Sequence, residues 1–157
     1  MFENEYIFDK DLIKEYVFNV MGKMPMLRSL FLFILGLILY FIVEENMKYL
    51  MLACSFVGIF CVVAFPIVMI NNLEKAGKRL HNGNLEKTFV TFGDNIIMNE
   101  GKVHLEFEYN QIVKIHQTKR LIILSFSDNA GIIVSKEGFT KGTLEDFLPF
   151  IKEKTNI

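Results

Sequence analysis

At 157 residues the chain has room for one modest soluble domain beside any membrane segment. Its 17 Lys and Arg against 18 Asp and Glu leave a net charge of −1, which offers no general electrostatic footprint for nucleic acid. Apolar residues make up 52% and the mean hydropathy is +0.32. Only two cysteines occur, so a disulfide framework is excluded.

In chain order, Glu5–Phe8 reads as a short strand. Asp9 or Asp11 then caps a helix running to about Gly22. Leu12, Ile13, Tyr16, Val17, Val20 and Met21 form one apolar stripe, opposite Lys10, Lys14, Glu15 and Asn19. Two placements compete for this amphipathic segment, residues 1–23. It lies on the inner leaflet as an interfacial helix, or it packs on the soluble domain; its direct continuation into an apolar run favours the leaflet.

Residues 24–71 form a hydrophobic hairpin, with arms over about 24–43 and 49–70 joined by the polar stretch Glu44–Lys48. The second arm carries no charge and suffices to cross a ~30 Å hydrocarbon core. Ser29–Val43 alone reaches only about 22 Å, so the first arm is extended back to near Met24. Pro25 then suits the first helical turn, and Arg28 snorkels toward the headgroups. A soluble helical hairpin would show a polar stripe on each arm, and none is present. No small-residue cleavage site follows the first arm, against a signal peptide.

Lys10, Lys14, Lys23 and Arg28 precede the first arm and Lys75, Lys78 and Arg79 follow the second, whereas the loop has Lys48 alone beside Glu44 and Glu45. The positive-inside rule therefore puts both termini in the cytoplasm. Abundant Lys, Ile, Asn and Phe suit a bacterium with AT-rich DNA, hence the inner membrane. Between the arms, Gly36 is expected at the depth of Gly58 if the turn centres on Asn46 or Met47. Cys54, Gly58 and Cys61 share one smooth helix face, the expected packing face of the hairpin. Along a helix the two cysteines are too far apart for a bridge. Pro66 leaves the Val62 carbonyl without its helical donor, which predicts a mild kink.

Residues 72–84 form an exit helix and linker, closed at Asn82-Gly83-Asn84. Lys75, Lys78 and Arg79 suit anionic headgroups, though a plain positive-inside flank explains them equally. Residues 85–157 change to period two. Strands are predicted at Thr88–Phe92, Asn95–Met98, Val103–Phe107, Ile112–Gln117, Leu121–Phe126 and Gly131–Val134, with turns at Gly93-Asp94, Glu100-Gly101, Asn110-Gln111, Thr118–Arg120 and Asp128–Ala130. Thr143 caps a last helix with Asp146 in the capping-box position, and Pro149 predicts that this helix is kinked or starts late. The expected fold class is α+β: an amphipathic helix and a transmembrane hairpin, then an antiparallel β-sandwich with a C-terminal helix.

Phe89-Val90-Thr91-Phe92, Tyr109 followed by Ile112 and Ile115, the strand Leu121–Phe126, and Ile133-Val134-Ser135-Lys136 with Phe139 resemble the YcxB-like family. Phe8-Asp9-Lys10-Asp11 is similar to the family's N-terminal start. Ser135 stands where a proline is common in that family. The resemblance implies a membrane-tethered domain similar to pleckstrin-homology and GRAM-type sandwiches, and it carries no catalytic residues.

If Val103, Leu105 and Phe107 face the core and pair with the following strand, Glu106 lies opposite Lys114 and His104 opposite His116. Such a cluster is the one hint of a Zn²⁺ site, but it falls on a solvent face without a third fixed ligand. Lys119 and Arg120 cap a hairpin, a solvated turn or a further contact with anionic lipid. No phosphate loop, nucleophile elbow or paired buried carboxylates occur. The expected function is a membrane-anchored, non-catalytic interaction module without a cofactor. Its expected partners are the bilayer and an unidentified protein or lipid, with self-association open and nucleic acid excluded. The alternative is an accessory subunit acting through hairpin packing, and a metal-dependent enzyme is the remote third.

Overall fold

The computed structural model describes residues 1–127 and 130–157. The chain divides into two compact units, one of Met1–Tyr16 with Glu74–Ile157 and one of Val17–Leu73.

In the first unit, β1 (Phe2–Ile7), β2 (Lys87–Phe92), β3 (Ile96–Glu100), β4 (Val103–Phe107) and β8 (Phe139–Lys141) form a five-stranded sheet in the order β4-β3-β2-β1-β8. A second sheet has the order β5-β6-β7, from β5 (Lys114–Gln117), β6 (Leu121–Ser125) and β7 (Gly131–Ser135). The strand pairs of both sheets, among the described residues, are antiparallel. Six strands fall close to their predicted positions, while β8 is too short to announce itself by alternation. The predicted turn at Asp128–Ala130 falls largely outside the described residues.

The N-terminal strand sits inside the sheet rather than at its edge. β1 pairs with β2 from Phe2↔Phe92 to Ile7↔Lys87 and with β8 at Glu3↔Lys141. Its alternation explains the fit: Phe2, Asn4 and Tyr6 point inward, and Glu3 and Glu5 point outward to meet Lys141 and Lys87.

Asn4 then joins the two sheets. Its buried amide acts as an extra peptide group: Nδ2 donates to the Ser135 carbonyl at 2.7 Å, and the Ser135 N–H donates to Oδ1 at 3.0 Å. A proline at 135 has no N–H to give, so the serine there is what allows the paired bond.

One core fills the space between the sheets and α4 (Leu144–Thr155): Val90, Phe92 and Ile96 from one sheet, Ile122, Leu124, Ile132 and Val134 from the other, and Phe147 and Ile151 from the helix. Phe147 meets Phe92 edge-on at 4.7 Å and Phe2 at 5.5 Å between ring centroids. The Thr143 hydroxyl caps α4 by accepting from the Asp146 N–H at 3.2 Å. The helix starts where the cap places it and runs through Pro149 to Thr155, so the expected late start does not occur.

The amphipathic stripe is resolved against the leaflet placement. Asp9 caps α1 (Lys10–Tyr16), its Oδ1 accepting from the Leu12 N–H at 2.9 Å. Leu12 and Ile13 are buried within the protein, 3% and 1% exposed, so the part of the stripe on α1 packs on protein rather than on headgroups. The chain then passes through one π turn, Val17–Met21, closed by the Gly22 N–H on the Val17 carbonyl at 2.6 Å. A β-carbon at Gly22 would stand 2.6 Å from that same oxygen, so a side chain has no place there.

In the second unit, α2 (Lys23–Ile42) is one arm, and the other lies in α3 (Glu45–Leu80), whose last turns belong to the first unit. The expected loop Glu44–Lys48 shrinks to Val43–Glu44, because Glu45 and Lys48 pair at 2.6 Å in the first turn of α3. The Asn82 and Gly83 backbones, at φ 54° and 99°, end α3 in left-handed geometry.

Asn4→Leu keeps the side-chain volume but strands both backbone groups of Ser135. It is expected to lower stability by about 2–4 kcal/mol, read from the denaturant midpoint of the detergent-solubilised protein.

Candidate functional site

The residues expected from the sequence to bear on function fall in two groups: the seam between the apolar arms, and the cations of the first unit and the arm ends.

The seam is built from small residues. Gly36 and Gly58 are buried, and at each a β-carbon would collide with the opposite helix. At Gly58 it would lie 2.8 Å from the Phe33 nitrogen and 3.0 Å from the Ser29 carbonyl oxygen. At Gly36 it would strike the Ser55 hydroxyl. Ser55 is 1% exposed and donates from Oγ to the Phe33 carbonyl at 3.1 Å. Backbone therefore meets backbone, the arrangement that lets helices associate in an apolar medium.

The two glycines do not lie level with each other. Gly36 faces Met51 and Ser55, and Gly58 faces Ser29 and Phe33. The shortened connection moves the turn toward Glu44, which shifts the register from the expected one. Ser55 was missed by sequence reasoning, although it lies three residues before Gly58 on the same face. Cys54 and Cys61 are exposed, and with Leu32, Leu35, Met51 and Val57 they line an apolar groove of about 470 Å³ beside the seam.

Of the cations, Arg28, Lys75, Arg79 and Lys119 are exposed. Lys78 binds Glu74 at 2.6 Å, and Lys10 reaches the same carboxylate at 3.7 Å. Those two lysines hold the Glu74 carboxyl below its ordinary value, Lys78 first. Arg120 pairs with Glu137 at 3.4 Å, and its backbone N–H donates to Glu15 at 2.7 Å. The Thr118 hydroxyl donates to the same Glu15 oxygen. Glu15 thus staples α1 to the turn carrying Lys119 and Arg120, a link between residues more than a hundred apart that no local pattern announces. Burial pushes the Glu15 carboxyl up, but the bonds from Thr118 and Arg120, with the nearby charges, hold it below the ordinary carboxylate range.

The expected facing of His104 with His116 and of Glu106 with Lys114 does not occur. β4 pairs with β3 and β5 with β6, so the two strands belong to different sheets. His104 Nδ1 lies 2.6 Å from Asn99 Oδ1, and Glu106 accepts from Asn95 at 2.6 Å. Among the described residues no group of three or more His, Cys, Asp or Glu could hold a metal ion.

Residues 92–151, from the end of β2 into α4, match the family model described as YcxB-like protein, which bears out the family resemblance. No curated protein and no solved structure matches the chain.

Gly58→Leu is expected to destabilise the hairpin by about 1–3 kcal/mol through overpacking, while Cys54→Ala stays within about 0.5 kcal/mol, both read from thermal unfolding in detergent. Because the native Glu15 carboxyl is depressed, its stabilisation is full above the ordinary carboxyl value and lost as pH falls through the native one. Glu15→Gln should therefore lower the Tm at pH 7, and the difference from the unchanged protein should close below about pH 4.

Proposed function

We propose that this YcxB-like chain is a membrane-anchored, non-catalytic interaction module that presents a pleckstrin-homology-like domain at the cytoplasmic face of the inner membrane. The observation that carries the reading is the exposure of the two apolar helices. Lys23–Ile42 and Glu45–Leu80 contain 18-residue windows with mean hydropathies of 2.1 and 2.6, of which 6% and 22% are buried. The core helix of a water-soluble protein with that hydropathy would be covered; these need a medium as apolar as themselves. A cleaved leader fits poorly, because β1 precedes the first helix and belongs to the folded sheet.

The domain supports the second half of the reading. Two antiparallel sheets closed by one C-terminal helix are the layout that the pleckstrin-homology and GRAM resemblance implies. Phe89, on the outer face of the five-stranded sheet, and Val113, just before β5, are exposed apolar side chains that a protein or lipid partner could cover. Arg28, Lys75 and Arg79 are free to meet anionic headgroups. The groove beside the seam favours a second reading, an accessory subunit whose hairpin packs on other membrane helices, another copy included.

A reporter fused after Ile157 should be active in the cytoplasm and silent outside it; the opposite result would sink the topology. Purification from native membranes in gentle detergent separates the two functional readings. A partner lost with Phe89→Glu and Val113→Glu but kept with Cys54→Trp supports the domain as the binding surface. The reverse pattern supports the hairpin.

A further inference from the structure

The path of the chain constrains the membrane segment. The chain leaves the five-stranded sheet at Ile7 and returns to it at Lys87, and these two residues are direct antiparallel neighbours. Everything between, both apolar arms included, is an excursion that ends where it began. A strand with Glu3 and Glu5 on its outer face cannot pair inside hydrocarbon, because those carboxylates would lose their water and their lysine partners. β1 and β2 therefore meet only when residues 1–7 and residues 87–157 are on the same side of the bilayer.

We propose that closure of this sheet is a parity check on membrane insertion: β1 takes its place between β2 and β8 only when the arms cross the bilayer an even number of times. The inference rests on the membrane reading above. When one arm fails to cross, β1 is stranded on the far side. The slot it should fill then leaves one edge of β2 and one of β8 unpaired, Phe147 and Phe150 without Phe2, and Ser135 without the Asn4 amide. A misinserted chain thus carries an open, apolar sheet slot in the cytoplasm, the kind of feature by which unfolded segments are recognised and degraded. A correctly inserted one closes the slot with its own N-terminus.

The test uses the full-length chain with Cys54→Ala and Cys61→Ala as background. Glu5→Cys and Phe89→Cys, opposite each other in the β1–β2 register, report closure as a disulfide formed by mild oxidation of unfractionated cell lysate, which holds membrane-bound and released chains alike. Leu32→Arg with Ile38→Arg disables the first arm, and Phe56→Arg with Phe60→Arg disables the second; all four positions are exposed on the hairpin surface. The cross-link is expected in the background chain, lost when either arm alone is disabled, and regained when both are. A cross-link that survives with a single arm disabled overturns the proposal. So does one that fails to return with both disabled, since the single-arm loss would then owe nothing to parity. Alkaline carbonate extraction of the background chain tests the membrane reading separately: release from the membrane overturns that reading and the proposal together, whereas retention with a surviving cross-link overturns the proposal alone.

Discussion

Everything in the first unit depends on β1 being held between β2 and β8. Six residues at the very start of the chain supply the middle of a sheet whose other strands lie beyond residue 86. They bring one side of the aromatic cluster, through Phe2, and a side chain that hydrogen-bonds directly across the two sheets, Asn4. Such non-local pairing is entropically expensive to bring together, and the ladder on both edges of β1 is what offsets it.

The two units solve their packing problems by different physics. In the first unit, large residues are withdrawn from water, and Phe92 in β2 and Phe147 and Ile151 in α4 are fully covered. In the hairpin, size is the obstacle. Gly36, Ser55 and Gly58 let two backbones approach, and the bulky side chains Phe31, Phe41 and Phe60 stay on the outside. In the lipid surroundings proposed for it, a hydrophobic drive would not hold the two helices together, and close contact with the Ser55 bond to Phe33 would have to do it.

Much of this was legible. The arms stand out by unbroken hydropathy, strands such as β2 and β4 by alternation, β6 and β7 as short apolar runs between turns, and the α4 cap by Thr143 and Asp146. What could not be read locally are the links that span the chain. Alternation around Glu5 announces a strand but not its partners, and the Asn4 amide looks like any polar residue near a terminus. The stripe on α1 pointed to the membrane surface because an amphipathic face does not say what covers it; Leu12 and Ile13 are in fact buried within the protein. The His104–His116 register failed for a related reason: consecutive strands usually pair, but here the chain changes sheets between β4 and β5, around the short 3-10 turn at Tyr109–Gln111.

The position of β1 also sets a waiting time. At about 5–20 residues per second, synthesis of residues 8–86 takes roughly 4 to 16 s, during which the strand has no partner to pair with. Loose strands rich in aromatic residues are prone to pair with one another. Phe2, Tyr6 and Ile7 would make this one such a hazard, were they not interrupted by Glu3 and Glu5. The same two carboxylates that later meet Lys141 and Lys87 therefore have an earlier role, as the charges that keep an orphan strand soluble until its sheet exists.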